Sequence, residues 1–204
     1  MVQAEIMMMS KGTEQFSLEE YILSELYNTY FGYGLSSIVF QEIRESRALA
    51  YSAYAYYASP SRKMDPHYFQ AYVGTQSDKM PEAIEAMTEI INDMPVSEEQ
   101  IESARQSILK KIETDRITGS SIYWNYLSTL ERGYDYDLRK ATYDRMKDAS
   151  KDDLLRFHRD NIKGRDYSIL VLGSKESINM EYLKSLGKVT ELKLEDIFGY
   201  EINP

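Results

Sequence analysis

Two neighbouring strand segments joined by a short loop constrain the fold of this chain more than any other feature. Residues 49–57 (LAYSAYAYY) and 68–74 (YFQAYVG) are rich in tyrosine and small residues, which suit a half-buried sheet. The loop between them, residues 59–66 (SPSRKMDP), has the proline and serine content of an exposed turn. Because strands joined by so short a loop pair antiparallel, the chain is predicted to contain an antiparallel sheet.

The rest of the chain alternates between strand and helix periodicity. Residues 2–8 alternate in the manner of a strand, with Val2, Ala4, Ile6 and Met8 on one face. Two more strands are predicted at residues 167–172 and 189–194. Helices are predicted at residues 18–30, 36–46, 80–94, from 97 onward, 121–132, 138–147, 151–161 and 180–186. Together these elements predict an α+β fold, a mostly antiparallel sheet with helices packed on one face.

Composition excludes several classes of chemistry. The 204 residues suffice for one domain, residues 1–204, that buries a core without a disulfide or a structural metal. The absence of cysteine excludes thiol catalysis and cysteine-ligated zinc. The two histidines, His67 and His158, lie too far apart for an HExxH zinc helix, and each is predicted to be a surface or capping residue.

Charge and hydropathy exclude two kinds of partner. A net charge of −9 argues against binding to a nucleic-acid backbone, which requires a basic surface. No apolar run approaches the ~20 residues of a membrane span, so no membrane insertion is expected. The predicted protein is soluble and resides in the cytoplasm or the periplasm. The chain starts directly within a strand pattern, which favours a piece cut from a longer protein.

One segment carries a family resemblance. Residues 30–52, YFGYGLSSIVFQEIRESRALAYS, consist of a glycine turn, two serines, the run FQEIRE and the run LAY. This stretch resembles the corresponding segment of the M16 (insulinase/pitrilysin-like) zinc metallopeptidases, and the order of elements agrees over nearly the whole chain. One departure is Tyr33, where the family commonly has another glycine.

The resemblance implies a specific half of such a peptidase. M16 enzymes pair a zinc-bearing N-terminal domain, which carries an HxxEH motif, with a C-terminal domain that lacks zinc and supplies an arginine and a tyrosine seven residues apart. The matching residues here are Arg44 and Tyr51, and no HxxEH occurs in the sequence. The resemblance therefore implies the non-zinc C-terminal half, folded as an M16/LuxS-like metallohydrolase roll. Zinc is expected on a partner domain, in the same native chain or a separate subunit, and the isolated chain is expected to be inactive.

The resemblance also implies roles for the two residues. Arginine offers a planar fork of donors to a peptide carbonyl or carboxylate, and a tyrosine O–H can stabilise the oxyanion of a tetrahedral intermediate. The peptide substrate is expected to add as a strand at the sheet edge of residues 51–57.

Several alternatives remain open at this point. In one alternative, Arg44 pairs with Glu25 or Glu45 on the surface and Tyr51 serves only sheet packing. Arg47 either lines the same groove or is a solvated charge. The alternative function is a non-catalytic, structural or peptide-binding subunit of a larger complex.

Overall fold

A four-stranded antiparallel sheet is the centre of the structure. The computed structural model describes residues 3–12 and 15–199 of the chain. The strands are β1 (Gln3–Lys11), β2 (Ser52–Ala58), β3 (Tyr68–Gln76) and β4 (Ser168–Gly173), and their order across the sheet is β2-β3-β1-β4. All three neighbouring pairs are antiparallel, and β2 and β3 form the predicted hairpin. The predicted sheet type is therefore confirmed.

Eight α-helices accompany the sheet in the described part of the chain. They are α1 (Leu18–Tyr27), α2 (Met80–Asn92), α3 (Glu98–Thr114), α4 (Ser120–Glu131), α5 (Leu138–Lys147), α6 (Lys151–Asn161), α7 (Met180–Leu186) and α8 (Leu194–Phe198). Two π-helical segments are also present: Asn28–Gly32, which continues α1, and Phe40–Ser46, which lies within the predicted helix of residues 36–46. A 3₁₀ helix, Ser77–Lys79, leads into α2. The α+β class is confirmed.

Side-chain hydrogen bonds set the starts of three helices. Ser17, Ser97 and Ser150 precede α1, α3 and α6, and each accepts a hydrogen bond from the backbone amide three residues later, at 3.2–3.3 Å. Each of these bonds satisfies one of the amides that a helix leaves unpaired at its first turn. The capping pattern in the sequence thus fixes where these helices begin.

The period-two pattern of β1 assigns its two faces. Ala4, Ile6 and Met8 are buried beneath the helices, whereas Met7 points to the opposite face, as alternation along a strand requires. On the helix side, the methionine-rich face of α2 belongs to the core, since Met80 and Met87 are completely buried. The prediction of helices on one face is confirmed; Val2 lies outside the described residues.

The predicted strand at residues 189–194 is wrong. Residues 188–193 have no regular structure, and Leu194 begins α8. Leu192 and Leu194 are more than half exposed. An alternating sequence forms a strand only when it pairs with a neighbour and buries one face. This segment does neither: it does not join the sheet beside the edge strand β4, and its leucines are exposed.

None of the helices in the described part of the chain combines the length and apolar character needed to span a bilayer. The compartment, cytoplasmic or periplasmic, stays a prediction.

Candidate substrate-contacting site

Arg44 lies on the π-helix Phe40–Ser46. Its guanidinium carbon lies 4.8 Å from the centroid of the Phe40 ring, so the charged head itself packs over an aromatic face. Its nearest carboxylate is Glu45, at 3.8 Å, and both side chains are about half exposed. An exposed ion pair at this distance contributes little to stability, so it leaves the guanidinium accessible to a ligand. π-Helical segments occur often at functional sites.

The connection from this helix to β2 is held by backbone hydrogen bonds. The amide of Leu49 donates to the carbonyl of Ile43 at 3.0 Å, and the amide of Tyr51 donates to the carbonyl of Gly74 at 2.8 Å. The buried hydroxyl of Thr75 donates to the carbonyl of Leu49. These bonds fix the connection at the helix end and at the sheet, so Arg44 and Tyr51 flank a connection of defined geometry.

The turn within this connection is made by Ala48. Its φ of 50° is the only positive φ of a non-glycine residue in the described part of the chain. The left-handed conformation costs an L-residue about 1–2 kcal/mol, because its Cβ approaches the following carbonyl. The neighbouring hydrogen bonds therefore hold Ala48 in a strained conformation that turns the chain between the helix and β2.

Arg47 is engaged by two carboxylates. Its guanidinium donates to the Glu89 carboxylate of α2 at 2.7 Å and lies 3.9 Å from Glu42. The Glu89 hydrogen bond raises the pKa of Arg47 and lowers that of Glu89. Arg47 is thus not a fully solvated charge: it ties the connection to α2. Its place in the substrate groove stays a prediction.

Tyr51 lies directly before β2 and continues its pairing with β3 through its backbone. Its side chain is 44 % exposed, so it is not packed into the sheet interior. Tyr51 and Arg44 therefore stand at the two ends of one anchored connection, each with about half of its side chain accessible. A pair of this kind can offer hydrogen-bond donors to an extended peptide.

The outer edge of β2 is partly closed by the chain itself. The Asn28 side chain accepts from the Tyr57 amide at 2.7 Å and donates to the Tyr57 carbonyl at 3.0 Å, as a neighbouring strand would. A Cβ on Gly32 would lie 2.1 Å from the carbonyl oxygen of Ala55, so the π-helical segment runs directly against this edge. The prediction that a peptide adds as a strand along residues 51–57 is therefore wrong for the second half of this range. It stays a prediction for the first half.

Sequence reasoning missed Asn28, because nothing in a helical asparagine identifies a partner on a strand about thirty residues away. Gly32 carried the only signal, since a glycine in a helix interior usually has a packing reason.

Both histidines are core residues rather than the predicted surface residues. His67 is completely buried: its ring stacks on Tyr57 at 5.4 Å, and its Nε2 accepts from the Ser17 amide at 3.4 Å. The capping part of the prediction thus holds for His67. His158 is stacked on Tyr27 at 5.9 Å, and burial is the main cause that lowers its pKa to about 4. Aromatic residues from other elements surround both histidines, and no local pattern in the sequence reveals these contacts.

These histidines do not form a metal site. Among residues 3–12 and 15–199, no three histidine or carboxylate groups lie close enough together to hold a metal ion. The described residues therefore do not fit a zinc ion.

Comparison with known proteins gives the family. Residues 1–108, which include Arg44 and Tyr51, match the family model described as the peptidase M16 inactive domain. An uncharacterized zinc protease of Rickettsia bellii (strain RML369-C) is 34 % identical over 105 residues. The match covers 50 % of this chain and 25 % of that protein, so the chain spans about a quarter of the curated relative.

Solved structures share the fold. An inactive peptidase domain from Bordetella parapertussis is 16 % identical with a TM-score of 0.68, over 84 % of this chain and 91 % of that one. A peptidase M16 inactive domain from Pseudomonas fluorescens is 13 % identical with a TM-score of 0.65, over 83 % of this chain and 40 % of that one. At these identities the likeness concerns the fold alone.

Proposed function

Because this chain belongs to the family of M16 peptidase inactive domains, we propose that it is the substrate-binding, non-zinc half of an M16-type zinc endopeptidase. Residues 1–204 form one domain in this proposal, a part of a longer or two-subunit enzyme. The zinc-bearing half is an M16 N-terminal domain, in the same native chain or in a separate subunit. The described residues hold no metal-ligand cluster of their own, which supports the assignment of the zinc to that partner.

The observation that carries the proposal is the anchored connection between Arg44 and Tyr51. Hydrogen bonds at Leu49 and Tyr51 and the Arg47–Glu89 pair fix it, while both terminal side chains remain about half exposed. Long side chains lose rotamer freedom when they bind, so a fixed backbone beneath them lowers the cost of ordering them on a substrate.

Each residue has a distinct role towards a bound peptide. The guanidinium of Arg44 donates a fork of N–H groups to a peptide carbonyl or carboxylate. The phenol of Tyr51 donates its O–H to the oxygen of the scissile carbonyl as that oxygen gains negative charge. Loss of one such donor costs about 2.7–4 kcal/mol of transition-state stabilisation in enzymes of this kind of chemistry. The zinc supplied by the partner polarises the carbonyl when bound.

The test uses the complete peptidase and an internally quenched peptide. Tyr51→Phe is expected to lower kcat/KM by about 10²–10³-fold, because the oxyanion loses a donor. The matched control is Tyr136→Phe, which removes a hydroxyl of similar exposure (47 %) far along the chain, and activity should be unchanged. Unchanged activity in Tyr51→Phe would favour the alternative, a structural or peptide-binding subunit without a catalytic role.

A second substitution separates charge from geometry at Arg44. Arg44→Lys keeps the positive charge and loses the planar fork, so KM for the peptide should rise while the fold is unaffected. Arg62→Lys in the exposed β2–β3 loop is the control and should leave KM unchanged. Equal KM values in Arg44→Lys and the wild type would remove Arg44 from the substrate contact.

A further inference from the structure

Glu25, on α1, carries a partly buried carboxylate that has no partner in the described part of the chain. Neither an ion pair nor a hydrogen-bond donor reaches its side chain among residues 3–12 and 15–199. Burial raises the pKa of Glu25, and the positive charge of Lys111 on α3 lowers it in part. Because a carboxylate that gives up water without gaining a donor costs free energy, such groups are normally paired. Glu25 is therefore available to a cation from outside the chain.

Three tyrosines lie near this carboxylate. Tyr21 precedes Glu25 by four residues, so both lie on one face of α1. Tyr56 belongs to β2 and Tyr33 follows the π-helix Asn28–Gly32, and the centroids of their rings are 6.2 Å apart. Burial raises the pKa of all three phenols, and the charge of Glu25 is the next largest cause for each of them. Glu25 and the three phenols therefore form one cluster.

The contact between α1 and the edge of β2 assembles this cluster. Asn28 follows Glu25 by three residues, on the same side of the helix, and its side chain bonds to both backbone groups of Tyr57. Tyr56 directly precedes Tyr57, so these bonds hold its strand beside α1. The cluster is thus preformed, and a ligand does not have to order it.

The cluster has room for one cation. The face of Tyr21 is already used, because the Arg132 guanidinium lies 5.6 Å from its ring centroid. Tyr33 is 43 % exposed, and Glu25 and Tyr56 are partly exposed. An aromatic face attracts a cation, and the carboxylate supplies the opposite charge. The net charge of −9 adds attraction at longer range. These features fit the ammonium of a lysine or the guanidinium of an arginine, with its apolar stem against the rings.

We propose that Glu25, Tyr33 and Tyr56 form a subsite for a basic side chain of a bound peptide. That the ligand is a peptide rests on the proposed function, whereas the preference for a cation follows from the cluster itself. Tyr51 and Tyr56 lie on one extended stretch, and their separation corresponds to about 17 Å of strand. A peptide whose cleaved bond contacts Tyr51 therefore reaches the subsite with a residue about five positions away.

Peptide binding to the 204-residue chain tests the subsite without zinc or catalysis. Three N-acetylated peptides with the same fluorescent label differ in one central residue, which is lysine, arginine or norleucine. Acetylation removes the terminal amine as a second cation. By fluorescence anisotropy, both basic peptides should bind about tenfold more tightly than the norleucine peptide, a ratio that corresponds to about 1.4 kcal/mol. The ratio should shrink as NaCl is added, because salt screens partly exposed charges.

Variants separate the subsite from general attraction to an acidic protein. Glu25→Gln is nearly isosteric and removes the charge, so the preference for basic peptides should largely disappear. Glu181→Gln removes the same charge from an exposed position on α7 and should keep the preference. Lys111→Gln removes a cation that competes for Glu25 and should strengthen it. Circular dichroism checks folding, and Tyr33→Leu, which removes an aromatic face, replaces Glu25→Gln if the latter does not fold.

Three outcomes would each overturn the proposal: a preference in Glu25→Gln equal to that of the wild type, equal affinity for the three peptides, or binding of none of them. Failure of the proposed peptidase function has a different signature. Unchanged turnover of the complete enzyme in Tyr51→Phe would remove the catalytic role and leave the binding preference of this chain intact.

Discussion

The amide of Leu49 donates a 3.0 Å hydrogen bond to the carbonyl of Ile43, which folds the chain that leads to Tyr51 back against the helix that carries Arg44. Residues six apart in sequence are thereby joined across a turn. Because Arg44 follows Ile43 directly, this bond fixes the position of the Arg44 backbone relative to β2. The geometry of the candidate site therefore depends on the backbone of residues 43–51 as much as on its two named side chains.

Thr75 is predicted to support this turn from β3. Its buried hydroxyl donates to the Leu49 carbonyl, so Thr75→Val leaves that carbonyl without this donor and should destabilise the protein by about 1–3 kcal/mol. Chemical denaturation measures the effect. Thr75→Ser keeps the hydroxyl and should recover most of the lost stability; a serine variant as unstable as the valine variant would show that the methyl group, and not the hydrogen bond, matters.

Ala48→Gly is predicted to stabilise the protein. Glycine adopts the φ of 50° without the ~1–2 kcal/mol strain of alanine, although its unfolded state is ~0.5–1 kcal/mol more favourable in entropy. The expected net gain is about 0.5–1 kcal/mol in thermal or denaturant unfolding. Ala141→Gly, within α5, is the control and should lose about 1 kcal/mol. A loss of stability in Ala48→Gly would show that Ala48 is not strained.

Asn28 is predicted to be essential for the edge of β2. Asn28→Ala removes both bonds to the Tyr57 backbone in a buried environment, and the expected loss is about 2–4 kcal/mol. Asn125→Ala on the exposed part of α4 is the matched control and should change stability by less than about 0.5 kcal/mol. Hydrogen exchange at the Tyr57 amide should accelerate in Asn28→Ala; protection equal to the wild type would contradict the assignment.

The protein is predicted to lose stability as the pH falls from 6.5 towards 4. Burial lowers the pKa of His158 to about 4 in the folded state, while the unfolded histidine titrates near 6.5. The unfolded chain therefore binds a proton in this range that the folded chain excludes, and stability is complete above pH 6.5 and decreases below it. The expected contribution is on the order of 3 kcal/mol.

Denaturant unfolding of His158→Phe at several pH values tests this origin. Phenylalanine keeps an aromatic ring against Tyr27 and Phe31 and cannot be protonated, so most of the pH dependence between 6.5 and 4 should disappear. His67, whose pKa burial also lowers, contributes to the remainder. An unchanged pH profile in His158→Phe would contradict the role of His158.

The sequence alone determined the class of fold and the family. Tyrosine-rich segments around a proline- and serine-containing loop placed the β2–β3 hairpin, helical periodicity placed α2, and residues 30–52 identified the family. These signals are local: each depends on residues within one element or one turn. They carry over from sequence to structure because neighbouring residues fix them whatever the rest of the chain does.

Only the tertiary structure decided the features that depend on distant partners. Asn28 meets Tyr57, His158 enters an aromatic core, and residues 189–194 do not pair with the sheet. Burial and pairing free energies depend on which surfaces the folded chain brings together, and sequence periodicity specifies a face without specifying what lies against it.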